Sequence, residues 1–246
     1  MARAIYLLFG VVAYLIFFAT FLYLIAFVGD FPWVPRTVDR GGPAADLWQA
    51  VAINVGLIAL FGLQHSVMAR QGFKRAWTRI VPEPIERSVY VLLASAVLIV
   101  MFLFWRPIGG TIWSIANPVG MSAMLILFFL GWLIVLVSTF LINHFELFGL
   151  RQVWAHGRGH EIPAPVFREP VFYRRVRHPL YSGFILAFWA TPHMSYGHLL
   201  LAAGITIYIL IAIHYEERDL VDMFGEDYVA YRGRAGMLTP KLGKRG

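Results

Sequence analysis

Cysteine is absent from all 246 residues. Disulfides, thiolate nucleophiles and any Cys-ligated zinc or iron–sulfur centre are therefore excluded. Charge is scarce as well. Asp, Glu, Lys and Arg make up 14% of the chain, where a soluble domain carries about 25%. Acidic residues are the scarcer sign, 14 against 21 Lys and Arg, which leaves a formal charge of +7. No Gly-x-Gly-x-x-Gly turn follows a strand-like run, so the soluble dinucleotide-binding fold is not in play. Repeats of fixed period and low-complexity tracts are also missing.

What is present is apolar. Hydrophobic residues make up 59% of the chain and the mean hydropathy is +0.66. Six apolar segments can be read: Ala4 to Val28, Leu47 to Met68, Ser88 to Trp105, Val119 to Phe148, and the two arms of a hairpin, Pro179 to Thr191 and Tyr196 to Ile213. About 20 apolar residues cross a bilayer as a helix, and the first hairpin arm is short by that measure. The pattern predicts an all-α polytopic membrane bundle forming one domain over 1–246. Its N-terminal part, 1–150, holds four helices, and a hairpin with a closing segment occupies 174–231. The first apolar run is too long for a cleavable leader and lacks a small-residue cleavage site, so no signal peptide is expected.

Basic residues set the orientation. With the N-terminus inside, 18 of the 21 Lys and Arg face the cytoplasm and Arg36, Arg40 and Arg106 face outward. This is the positive-inside bias. It predicts an integral protein of a bacterial inner membrane with both termini cytoplasmic. The basic excess reads as topology and contact with lipid headgroups, not as a nucleic-acid surface.

Polar groups gather where that topology ends its helices. His65 closes the second segment, and Asn143, His144 and Glu146 close the fourth. The hairpin opens with Arg177, His178 and Tyr181 and closes with His214, Glu216 and Glu217. Ionisable groups in such segments face a bundle interior or an aqueous cavity, which predicts a cytoplasmic site. Each also has a plainer reading. His65 and His144 could bond backbone carbonyls at helix ends, and Asn143 could be an interhelical contact. Glu216 to Asp219 could be a solvated helix exit, and Arg174 and Arg175 lipid anchors. His193 and His198 read as interfacial loop residues, and the cluster Lys241 to Arg245 as a frayed tail.

Arg177-His178-Pro179-Leu180-Tyr181-Ser182-Gly183, an apolar hairpin, Glu216-Glu217, then Phe224-Gly225-Glu226-Asp227-Tyr228-Val229-Ala230-Tyr231 resembles the C-terminal region of the isoprenylcysteine carboxyl methyltransferase and phospholipid methyltransferase superfamily. Gln64-His65-Ser66-Val67-Met68, Pro84-Ile85-Glu86-Arg87-Ser88 and Asn143-His144-Phe145-Glu146-Leu147-Phe148-Gly149 extend the likeness to its methanethiol S-methyltransferase branch, over nearly the whole chain. The resemblance implies S-adenosylmethionine as cofactor and methylation of methanethiol to dimethyl sulfide. Carried over residue by residue, it implies cofactor contacts at Arg177, His178, Tyr181, Gly183, Glu216, Tyr228 and Tyr231. Nothing in the sequence asks for the lateral opening that a prenyl tail requires.

Methyl transfer to sulfur is an in-line displacement that needs no metal. It needs alignment and loss of the thiol proton, because the thiolate is the nucleophile. Glu217, His144 and His65 are the candidate bases. Two alternatives stay open at this point. One is another acceptor: a larger thiol, a carboxylate or a phospholipid amine. The other is a non-catalytic protein with haem held by His65 and His144. The partners expected are a small volatile thiol and membrane lipid, with oligomeric state left open.

Overall fold

A computed structural model of the chain describes residues 2–163 and 166–241. Among them, five helices are long and apolar enough to cross a membrane. These are α1 (Ala2–Val28), α2 (Leu47–Ala69), α4 (Glu83–Phe104), α5 (Pro118–Ile142) and α9 (Tyr196–Phe224). A sixth apolar helix, α8 (Pro179–Trp189), has 11 residues and spans only about 16 Å at 1.5 Å per residue. Short helices α3 (Gln71–Trp77), α6 (His144–Leu147), α7 (Leu150–Arg158) and α10 (Glu226–Arg234), with a 3-10 turn at Val171–Arg174, complete the helical set among the described residues. The chain is an all-α, polytopic membrane protein.

The sequence marks most helix starts. Asp46 caps α2, its carboxylate accepting the N–H of Gln49 at 2.9 Å. Pro84 lies in the first turn of α4 beside Glu83 and Glu86, where proline costs no hydrogen bond and acidic groups meet the positive end of the helix dipole. Asn117 caps α5 by accepting the N–H of Val119 at 2.8 Å.

The chain divides into two compact units. The first comprises Met1–Ser114, Asn143–Pro163 and His193–Gly204. Within it α4 packs on α1 and α2, and α7 lies along α1. The second comprises Ile115–Ile142, Ala164–Pro192 and Ile205–Gly246, and α5 against α8 is its main helix pair.

Four features differ from the expectations. The fourth apolar segment stops at Ile142, not Phe148. Asn143 leaves the helix with extended backbone, φ 172° and ψ 87°, and its side chain accepts the N–H of Glu146 to start α6. Gly149 then turns through φ 89° into α7. A side chain there would meet Ser88 Oγ at 2.6 Å, so the turn requires glycine on both counts. The second hairpin arm runs on unbroken to Phe224, so His214 to Asp219 are helical. A small antiparallel pair, β1 (Thr111–Ser114) with β2 (His193–Ser195), joins Trp113 to Met194 and Ser114 to His193. His198, expected on an interfacial loop, is buried in the first turn of α9, where its N–H bonds Ser195 Oγ at 2.9 Å.

Candidate active site

In the second unit the approach to α8 is fixed by the chain's C-terminal segment. Val176 and Gly236 form a parallel bridge. The N–H of Arg177 donates to the carbonyl of Gly236 at 2.8 Å, and that of His178 to Met237 at 3.1 Å. Ser182 Oγ donates to the carbonyl of Leu238 at 2.6 Å. Pro179 opens the helix, so the backbone leaves this short strand directly into α8.

That geometry gathers four side chains. Glu217 Oε1 accepts from Arg177 Nε at 2.7 Å and from His178 Nε2 at 3.1 Å. Glu217 Oε2 lies 3.2 Å from Arg232 Nε. Arg177 also donates through NH1 to the carbonyl of Ala235 at 2.6 Å. The side chains of Arg177 and Glu217 are each only 10% exposed, and His178 is buried. One turn away, Tyr181 donates to Glu216 Oε2 at 2.9 Å. A buried, multiply hydrogen-bonded ion cluster of this kind holds one geometry, because loss of any member leaves the others desolvated and unmatched.

Tyr228 and Tyr231 form the floor beside Ala235, with Phe167, Leu220, Val221 and Phe224 against them. Tyr231 donates to the carbonyl of Tyr173. Burial pushes the Tyr231 phenol up to about 12, with the Glu169 carboxylate adding to the effect. Tyr173 and Tyr228 are raised too, first by burial and then by the nearby Glu216 and Glu217 carboxylates. These phenols stay neutral at physiological pH and act as packing groups.

An open cleft of about 830 Å³ adjoins the cluster and is lined by Arg177, Arg232, Gly233, Met237, Thr239 and Lys241, among others. Lys241 is no frayed tail. It donates to the carbonyls of Arg232 and Gly233 at 3.2 and 2.6 Å, because the backbone pairing at Gly236 brings the segment back over α10. Lys244 and Arg245 lie outside the described residues.

The remaining sequence candidates fall elsewhere. Gly183 packs toward α5: a side chain there would meet the carbonyl oxygen of Gly131 at 2.7 Å. His214 is exposed beside Tyr215. His65 and His144 belong to the first unit. His65 stacks on Phe61 with ring centroids 5.3 Å apart, and its carbonyl accepts from Tyr90 at 3.3 Å. His144 is 7% exposed. Its Nε2 is 2.8 Å from Tyr14 Oη, and Phe148 lies edge-on at 4.9 Å. Burial holds the His144 imidazolium below its ordinary pKa, so the ring is neutral at pH 7.

Around His144, α6 is tied down at both ends. Asn143 donates to Glu146 Oε2 at 2.6 Å, and Arg151 pairs with the same oxygen. Arg87 Nε donates to the carbonyl of Leu147 at 2.7 Å. Sequence reasoning missed Tyr14, Arg232 and Lys241. A tyrosine hydroxyl within an apolar span needs a partner, which was the available signal for Tyr14. The two cations resembled ordinary positive-inside residues.

No family model and no solved structure matches the chain. Curated relatives do match. A methanethiol S-methyltransferase of Mycobacterium tuberculosis is 52% identical over 240 residues, 98% of each chain. Methanethiol S-methyltransferase 1 of Bradyrhizobium diazoefficiens is 52% identical over 233 residues, 95% of this chain and 81% of its own. That of Crocosphaera subtropica is 49% identical over 245 residues, 100% of this chain and 95% of its own. With about half its residues shared along nearly its whole length, the chain belongs to the methanethiol S-methyltransferase family.

Proposed function

We propose that this protein transfers a methyl group from S-adenosylmethionine to methanethiol and releases dimethyl sulfide. The observation that carries this reading is the near full-length identity of about half to enzymes named for that substrate. The second unit supports it by fit. Its open cleft of about 830 Å³ has room for a small-molecule ligand. Arg232 and Lys241 bring cationic donors to that cleft, matching a ligand that carries an amino acid carboxylate.

When bound, the methyl donor supplies an electrophilic methyl on a sulfonium. The chain does the rest. Arg177, His178 and Glu217 form the rigid frame of the donor site, and Glu216 with Tyr181 extends it. Gly183 lets α8 approach α5 behind that frame, and Tyr228 and Tyr231 support it from below. Glu217 serves as an anchor and not as the base, because its two oxygens already accept from three donors. The thiol proton leaves to a base, for which His144 and His65 of the first unit are candidates by their chemistry alone. The thiolate's electron pair makes the new S–C bond, and the pair of the broken bond stays on the donor's sulfur. The proton is later passed to water.

The site lies on the cytoplasmic side of the inner membrane, with both termini inside, as the distribution of basic residues supports. Methanethiol and dimethyl sulfide are small and apolar enough to enter and leave through the bilayer. The test is headspace detection of dimethyl sulfide from purified protein given methanethiol and S-adenosylmethionine. Product must scale with protein. Its absence, or methylation of a phospholipid amine in its place, defeats the assignment.

A further inference from the structure

We infer that the groove between the C-terminal ends of α1 and α4 is a binding site for an anionic phospholipid, with one acyl chain in the groove and the phosphate on Arg36. The groove lies wholly within the first unit. Its role is separate from methyl transfer and does not depend on that reading.

The walls are apolar. Ala19, Thr20 and Tyr23 of α1 and Ile99, Phe102 and Leu103 of α4 line an open space of about 380 Å³. Both hydroxyls are engaged within the protein. Thr20 donates to the carbonyl of Ile16 at 2.7 Å, and Tyr23 to that of Arg36 at 3.0 Å. The walls therefore offer a ligand hydrocarbon. Ala19 precedes the last residue of α1, Val28, by nine positions, about 14 Å at 1.5 Å per residue. That is roughly half of the ~30 Å hydrocarbon layer, so the groove is one leaflet deep.

Arg36, on the loop that follows α1, completes the lining. Its Nη1 donates to the carbonyl of Leu103, one of the open carbonyls in the last turn of α4. Arg40 on the same loop is held by Asp30 at 2.9 Å, whereas no carboxylate pairs with Arg36 among the described residues. The Nε–H and Nη2–H of Arg36 are left, the edge of a guanidinium that matches two phosphate oxygens in parallel. The surrounding backbone is fixed. Tyr23 holds the Arg36 carbonyl, the N–H of Thr37 donates to the carbonyl of Arg40 at 2.9 Å, and that of Val38 to Phe27 at 3.0 Å.

Selectivity resides in the headgroup. An acyl chain gains little by leaving lipid for an equally apolar wall. A bidentate pair between guanidinium and phosphate is strong where the dielectric is low, and basic pockets between membrane helices recognise anionic headgroups in this way. A zwitterionic lipid brings its own ammonium beside Arg36 and loses part of that attraction.

The experiment is native mass spectrometry of the full chain in detergent, titrated with phosphatidylglycerol or with phosphatidylcholine of identical acyl chains. Phosphatidylglycerol should be retained about tenfold more tightly, equivalent to about 1.4 kcal/mol. Arg36→Gln should abolish the preference, Arg36→Lys should lose most of it because the fork is gone, and Arg40→Gln should keep it. Ala19 is exposed on its helix. Ala19→Phe should fill the groove and weaken retention of both lipids, which keeps the chain site testable should the Arg36 variants not fold. Inorganic phosphate should not displace the lipid. Equal retention of the two lipids, an unchanged preference in Arg36→Gln, the same loss in Arg40→Gln, undiminished retention in Ala19→Phe, or displacement by inorganic phosphate overturns the site.

Discussion

Arg177 Nε stands 2.7 Å from Glu217 Oε1, and both side chains are buried to about nine-tenths. The two residues lie 40 positions apart, on either side of the hairpin. Glu217→Gln should leave two cationic groups without their countercharge and cost about 3 kcal/mol, in the range for breaking a buried pair. Thermal unfolding in detergent would measure it. The acid limb of the residual pH–rate profile should keep its position. Loss of that limb in Glu217→Gln would falsify the assignment of Glu217 as anchor.

Arg177→Lys should fail despite keeping the charge. The guanidinium serves Glu217 through Nε and the carbonyl of Ala235 through NH1 at 2.6 Å, and one ammonium cannot reproduce that fork. The segment 235–241 should become protease-sensitive and donor KM should rise about tenfold or more, equivalent to about 1.4 kcal/mol. Limited proteolysis and steady-state kinetics would report the two effects separately.

Alkali should loosen the same region. Tyr231 is raised to about 12 by burial, against about 10 for a free phenol. The folded pKa is the higher one, so the stabilisation is complete below about pH 10 and is lost as pH climbs toward 12. Tyr173 and Tyr228 shift in the same direction. Phenolate absorbance should therefore appear together with loss of helix, and Tyr231→Phe should reduce that coupling.

Acid acts through His144. Burial lowers its pKa, so the unfolded chain binds the proton more readily. Stability should fall as pH drops below the ordinary histidine range of about 6.5. His144→Gln should flatten that part of the stability curve, measured as unfolding midpoint against pH.

Gly183→Ala tests helix approach in the second unit. The added carbon would lie 2.7 Å from the carbonyl oxygen of Gly131 and 2.9 Å from the amide nitrogen of Val135. Both are backbone atoms and cannot swing aside. A loss of about 1–3 kcal/mol is expected from such overpacking, again read by thermal unfolding.

Much of this architecture could be read from residue types. The long apolar runs mark the spans because hydrocarbon tolerates few ionisable groups, and Asp46 and Pro84 mark helix starts through local hydrogen bonding. The pairing of Arg177 and His178 with Glu217 follows the hairpin logic, since a turn at Pro192 to Gly197 brings both roots together. The break at Asn143 was hidden because Phe145, Leu147 and Phe148 continue the hydrophobic pattern across it. The 111–114 strand was hidden by its length: four residues carry no period. Lys241 and Arg232 were hidden because only the backbone bonds at Arg177 and Gly236, a contact distant in sequence, turn a basic tail into a cleft wall. Tyr14 was hidden among the aromatic residues of α1.

The 29 residues of α9 extend about 43 Å, whereas the hydrocarbon layer is about 30 Å thick. Glu216 is the twenty-first residue of that helix, so a bilayer of ordinary depth releases the two glutamates into the headgroup region. Thicker lipid would draw them toward the acyl chains or tilt the helix to prevent it. Acyl-chain length in reconstituted vesicles thus becomes a dial on methyl-donor affinity, and growth temperature, through lipid composition, would turn the same dial in the cell.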